Sequence, residues 1–414
     1  VPPLPTEWVE FGDVEPYKTS LLKRAYQSFR GSQPARLTRH LASFREANRS
    51  WLADYALYRA LRESHARAPW YEWPLPLARR DPEALIGWAQ EHRDEVDFVE
   101  FCQFVFFRQW AALHDWAGEL GIGIFGDIPI FVARDSAEVW SHPELFLVDE
   151  DLRPRVVAGV PPDYFSDTGQ LWGNPLYDWE RMRGDGYSWW ISRLRHTLGM
   201  VDLVRLDHFR GFASYWEVPA DEETAINGRW CTGPGRGFFD AVEQALGHLP
   251  LVAEDLGEIT PDVVELLEEL GLPGMAILHF GFSPEPRSTF IPYAHKRNQV
   301  VYTGTHDNNT SVGWFLEDAS EGERELVRRY AGKARDEVHW ELIRLAMASV
   351  ADTAVVPHQD LAGLGSDCRM NVPAVGEGNR RFRITPPMLG EGIQSRLREL
   401  VEVYGRAPKS PEDC

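Results

Sequence analysis

From residue 122 onward the chain repeats one pattern: a short apolar run that stops on polar or charged groups, followed by a stretch that reads as helix. The runs are IGIFGDIPIF from Ile122, VDLVRLDHF from Val201, LVAEDL from Leu251, MAILHF from Met275, VVYTGTHD from Val300 and TAVVPHQD from Thr353. β-rich runs alternating with helices are what a parallel sheet with crossover connections requires. Between the third and fourth runs, Thr260 and Pro261 open a helix, DVVELLEEL fills it and Gly271 ends it. Six such strands are fewer than the eight of a closed α/β barrel. Either the sheet is open, or two strands lie in sequence that this chain lacks.

The residues before about 118 differ in character. They read as helices joined by short polar turns, including a segment from His40 to Glu63 and a long one from Asp81 to Glu119. Asp81 is a good N-cap, Pro82 suits the first helical position, and Gly121 lies just past the end. Phe98, Phe101, Val105, Leu113 and Trp116 recur at mostly helical intervals and are expected to form a buried face. The stretch 133–189, after the first strand, carries VAGVPPDYFSDTGQLWGNPLYDW and has little regular periodicity. It is expected to be a long, aromatic, functional loop.

Several strands end in groups capable of chemistry: Asp127; Arg205, Asp207 and His208; Glu254 and Asp255; His306 and Asp307; His358 and Asp360. In an α/β barrel such ends converge on one face, where active sites are built. Other sequence features narrow the chemistry. Lys and Arg number 43 against 63 Asp and Glu, a net charge of -20 that repels phosphate backbones and anionic lipid, so neither nucleic acid nor a membrane surface is expected as partner. No H-x-H or H-E-x-x-H pair occurs to hold a metal, no G-x-S-x-G elbow to present a serine, and no G-x-x-x-x-G-K-[ST] loop to cradle phosphate. The one G-x-G-x-x-G match, at Gly121, Gly123 and Gly126, lies within a strand instead of opening a helix after one, and reads as structural. Glycoside chemistry remains. It needs one carboxylate as nucleophile and one protonated carboxyl as acid, in a pocket lined by aromatics. The chain has 16 Trp, 13 Tyr and 21 Phe, enough for a core with some left over to stack on sugar rings.

The segments VRLDHFRG, VAEDLG and YTGTHDNNT, with GDIPIFVARDSAEVW and GVPPDYFSDTGQLWGNP, resemble the amylomaltases, the bacterial 4-α-glucanotransferases of glycoside hydrolase family seventy-seven in the α-amylase clan. The resemblance covers nearly the whole chain, and its five motifs stand in the family's order. The resemblance implies a nucleophile at Asp207, a general acid/base at Glu254 and a transition-state stabiliser at Asp307. It implies an arginine that sustains the nucleophile's charge at Arg205 and sugar-hydroxyl binders at His208 and His306. Asp127 and Asn371 join them as substrate-binding residues, and Tyr164, Phe165 and Trp172 resemble the family's lid over the pocket. No metal or organic cofactor is implied. Malto-oligosaccharides and α-1,4-glucans are the implied partners. Independently of the family, Arg205 and Asp207 are two apart on a strand and therefore face the same way.

The implied fold is a (β/α)8 TIM barrel lacking its first two strands in this chain, with a helical inserted subdomain at 1–118. The remaining barrel is expected at 119–414, including the 133–189 substrate loop region. The family begins with two barrel strands and an S-P-Y segment that nothing here matches, which agrees with the count of six. A second departure is GNRRFRI around Asn379 and Arg383, where the family reads G-N-W-x-W-R. Four cysteines, Cys102, Cys231, Cys368 and Cys414, show no C-x-x-C pairing, which fits a reducing cytoplasm. The expected activity is transfer of α-1,4-glucan segments between malto-oligosaccharides by retaining double displacement. Hydrolysis of α-glucans and an inactive glucan-binding role remain as alternatives.

Overall fold

The computed structural model describes residues 3–162, 166–283, 288–331, 337–373 and 375–407. The fold is α/β. Its described strands, in chain order, are β1 (Phe125–Pro129), β2 (Val156–Val160), β3 (Gln170–Pro175), β4 (Leu203–Asp207), β5 (Ser214–Pro219), β6 (Arg229–Thr232), β7 (Leu251–Ala253), β8 (Gly274–Ile277), β9 (Gln299–Tyr302) and β10 (Thr353–Val355). The chain divides into two compact units, one of Ser20–Leu270 and one of Val1–Thr19 with Gly271–Cys414. The expected boundary near residue 118 falls inside the first of these.

All six strands expected from the apolar runs form. In the Ser20–Leu270 unit they make a parallel sheet of order β1-β4-β7, and in the other unit a parallel sheet of order β10-β9-β8. Strand β4 illustrates the cause. Val204 and Leu206 alternate into the core at 0% and 1% exposure, which turns Arg205 and Asp207 to the opposite face. The register then sets Asp127 of β1 directly opposite Arg205 of β4.

The stretch expected to be an irregular loop is largely ordered. It contributes β2 and β3 to a four-stranded antiparallel sheet of order β3-β2-β5-β6. Strand β3 carries no apolar alternation because most of it is exposed, so its backbone pairing with β2 makes it a strand. The helical region also breaks where the sequence reads as continuous. Helices Ala35–Ala47 and Leu52–Ser64 are separated at Asn48, whose side-chain amide donates to the Phe44 carbonyl (2.8 Å) and whose Oδ1 accepts from the Trp51 indole (3.0 Å). The long segment divides at His92 into Pro82–Glu91 and Arg93–Glu119, and Asp81 caps the first by accepting from the Ala84 amide (2.9 Å). On the second helix Phe101 is buried, with Phe98 and Val105 packed beside it against Tyr26 and Leu41. Leu113 and Trp116 are instead 47% and 59% exposed, so the expected buried stripe ends halfway along the helix.

Most aromatic residues are structural. Trp190, Phe212 and Phe238 are completely buried and pack ring on ring with Trp179 and Tyr177 in the Ser20–Leu270 unit. The core of the other unit gathers Ala276, Leu278, Phe282, Val301, Leu342 and Ala346 between the parallel sheet and its helices. Among the described residues, no helix is long and apolar enough to cross a membrane.

Candidate active site

In the Ser20–Leu270 unit, the ends of β1, β4 and β7 bring four of the expected site residues into one electrostatic cluster. Arg205 bridges two carboxylates, with Nη1 donating to Asp127 Oδ1 at 2.9 Å and Nη2 lying 2.7 Å from Asp207 Oδ1. Its own side chain is only 11% exposed, so the guanidinium acts through a poorly screened medium. Glu254 follows β7 directly, and its backbone amide continues the ladder to the Leu206 carbonyl (3.0 Å). Its carboxyl accepts from the backbone amides of His208 (2.7 Å) and Leu256 (3.0 Å). Burial pushes the Glu254 carboxyl up to about 7, and the Asp207 charge adds to the rise; Arg205 and the two amides oppose it. The two carboxyls thus have different surroundings: Asp207 is 38% exposed and braced by a guanidinium, while Glu254 is held in burial that favours its neutral form.

His208 sits at the turn out of β4 with φ at 52°, a left-handed backbone conformation. Burial, with help from the nearby Arg210 guanidinium, pulls its pKa down to about 3, so the imidazole is neutral at pH 7. A neutral ring offers one donor and one acceptor, a match for a sugar hydroxyl. Trp172 of β3 stands edge-on to it at 4.8 Å between ring centroids, and Phe131 lies 6.4 Å from His208 and 6.5 Å from Trp172. Gly211 permits this corner. A Cβ there would come within 2.7 Å of Ile130 Cδ1 and 3.2 Å of His208 Cδ2. Trp172 is 38% exposed, which leaves ring surface free for a ligand. Tyr164 and Phe165 lie outside the described residues.

In the other unit, the turn after β9 carries His306 and Asp307. Asn371 donates from Nδ2 to Asp307 Oδ1 at 2.6 Å, and His306 Nε2 lies 3.3 Å from Asp307 Oδ2. Sequence reasoning missed Arg369, which donates to the Asp307 carbonyl (2.6 Å) and the Asn371 carbonyl (2.8 Å) and so fixes the pair. Nothing in its sequence context, DCRMN, distinguishes it. Arg193 and Tyr177 were likewise unread. Arg193 donates to the Pro129 carbonyl (2.7 Å) and the Tyr177 hydroxyl to the Ile130 carbonyl (2.7 Å), which secures the exit of β1. Asn379 staples a loop by accepting from the Val372 amide (2.9 Å) and donating to the Val375 carbonyl (2.8 Å). Arg383 pairs through its backbone amide with the Glu7 carbonyl (2.9 Å), so these two residues serve the chain's own packing in the GNRRFRI segment.

A guanidinium-braced Asp207 and a Glu254 carboxyl raised by burial, beside neutral aromatic and imidazole surfaces, suit retaining chemistry on a sugar. Comparison with known proteins agrees. The sequence model of glycoside hydrolase family 77, described as 4-alpha-glucanotransferase, matches residues 3–388. The chain is 47% identical to the 4-alpha-glucanotransferase of Synechocystis sp. over 98% of its own length and 81% of the relative's. It is 46% identical to that of Thermus thermophilus over 98% of this chain and 82% of the relative. An amylomaltase from Streptococcus agalactiae, solved in complex with acarbose, superposes with a TM-score of 0.93 at 36% identity, covering 97% of this chain and 81% of that one. The chain therefore belongs to glycoside hydrolase family 77, the 4-alpha-glucanotransferases.

Proposed function

We infer that the chain transfers α-1,4-glucan segments between malto-oligosaccharides, and that Asp207 and Glu254 carry the reaction. The activity follows from family membership and from relatives that are transferases, which favours it over hydrolysis or inactive binding. The assignment of residues is our proposal, and the observation that carries it is the contrast between the Arg205-braced Asp207 and Glu254, whose carboxyl is pushed up to about 7. In the first step Asp207 attacks the anomeric carbon while Glu254 gives its proton to the glycosidic oxygen. The bond to the leaving glucan breaks, and a glycosyl ester forms on Asp207. In the second step the 4-hydroxyl of an acceptor glucan attacks that carbon as Glu254 takes the hydroxyl proton. The ester bond breaks, both side chains regain their starting states, and one α-1,4 bond has replaced another.

We assign Asp307, with His306 and Asn371, to sugar hydroxyls and to the charge that develops at the ring. Asp127 and His208 are assigned to substrate binding beside Arg205, and Trp172, Tyr164 and Phe165 to the aromatic cover. We also propose that the parallel strands belong to a (β/α)8 barrel of the α-amylase clan. The helical residues to 118 then form an inserted subdomain, and 133–189 the substrate loop region. Three unpaired cysteines, Cys102, Cys231 and Cys368, support a working place in a reducing cytoplasm.

An activated donor tests the pair. With α-maltosyl fluoride, whose leaving group needs little protonation, Glu254→Gln should retain turnover that it loses on maltotriose, whereas Asp207→Asn should be inactive on both. Near-normal rates for Asp207→Asn would end the assignment.

A further inference from the structure

The loop that presents Asp307 is closed by a carboxylate that the mechanism does not use. Asp360 lies just after β10 and is 1% exposed. It accepts from three donors at the two ends of this loop: the Thr303 hydroxyl at 2.5 Å on Oδ2, the Ser311 hydroxyl at 2.7 Å on Oδ2, and the Ser311 backbone amide at 2.7 Å on Oδ1. Thr303 and Ser311 are themselves fully buried. Residues Gly304–Thr310 therefore leave β9 and return with both ends pinned to one group.

A second layer supports that group. His279, 2% exposed and just after β8, has its Nε2 3.1 Å from the Ser311 hydroxyl. With Ser311 donating onward to Asp360, Nε2 is the protonated nitrogen, and a chain of donors runs from His279 through Ser311 to the carboxylate. Trp314 stacks on the imidazole at 4.6 Å with 5° between planes. Gly304 lies against the other part of the ring, where a Cβ would come within 2.7 Å of His279 Cε1. Inside the loop, the Asn308 side chain accepts from both the amide and the hydroxyl of Thr305 (2.8 Å each), which shapes the turn that Asp307 occupies.

We propose that Asp360 is a positioning residue for the Asp307 carboxylate, acting by tying both ends of the Gly304–Thr310 loop to the ends of β8, β9 and β10. The proposal rests on the reading of Asp307 as the third carboxylate of the reaction. Held this way, the loop loses its freedom before substrate arrives, and Asp307 meets the transition state without reorganisation.

The test is a mutant cycle on maltotriose and α-maltosyl fluoride, with KM, kcat and thermal midpoint measured for each protein. Asp360→Asn and Thr303→Val should lower kcat about tenfold with KM changed less than about twofold, while Thr303→Ser, which keeps the hydroxyl, recovers most of the rate. In an Asp307→Asn background, Asp360→Asn should cost less than about twofold further, because the group it positions is already gone. Losses that multiply in the double variant would overturn the proposal. So would full turnover by Asp360→Asn while Asp307→Asn is inactive, which leaves the reading of Asp307 standing. Near-normal turnover by Asp307→Asn would instead remove that reading and the proposal with it. If Asp360→Asn does not fold, the nearly isosteric Thr303→Val carries the same cycle.

Discussion

Glu254 shows how surroundings can fit a single residue for a role that its type does not confer, here the acid/base role proposed for it. A carboxyl in water is ionised at neutral pH; here burial pushes it up to about 7, so a large fraction remains protonated. The sign of the resulting pH dependence is fixed. The raised group is protonated below about 7 and ionised above it, and in the proposed mechanism bond cleavage needs the protonated form. We expect kcat/KM for maltotriose to fall about tenfold per pH unit on the alkaline side of that value, and to stay nearly flat there for α-maltosyl fluoride. A matching alkaline fall with the fluoride would assign the titration to another group. Asp207, Glu254 and Asp307 stand out in the sequence as candidates because each follows an apolar run within a recognisable motif. Arg369 and Asp360 were illegible as partners of the Asp307 loop, since they act through hydrogen bonds to residues about fifty to sixty positions away.

At the scale of elements, local pattern located the parallel strands and missed the antiparallel ones. A strand buried on both faces is a continuous apolar run, whereas β3 is mostly exposed and is made a strand by its neighbour. This matters for function because β3 carries Trp172 to His208. Water is present at about 55 M against millimolar acceptor, so transfer must be favoured over hydrolysis by several factors of ten, each worth about 1.4 kcal/mol. In the role proposed for Trp172, an aromatic face beside the imidazole would cover the apolar side of a glucose ring and leave little room for water. Trp172→Ala should therefore raise the ratio of new reducing ends to transferred glucose during maltotriose turnover by about threefold to tenfold. Because Trp172 is 38% exposed, its removal should shift the thermal midpoint little, and an unchanged product ratio would make it a packing residue.

At the scale of the whole molecule, the net charge of -20 sets what the surface attracts, and a neutral glucan is indifferent to it. We expect kcat/KM for maltotriose to change less than about twofold between roughly 20 mM and 500 mM salt, since no charge on the substrate is steered or screened. A strong salt dependence would point to an ionic contribution in substrate capture that the present charges do not explain. The sequence alone determined the class of fold, the positions of the six parallel strands and which carboxylates are candidates, because burial demands apolar runs and motif residues are contiguous. Tertiary structure alone decided how far burial raises the Glu254 carboxyl, that Arg205 also holds Asp127, and how the Asp307 loop is held. Those properties depend on the distance, burial and hydrogen bonding between groups far apart in the chain, none of which exists until the strands have aligned their ends.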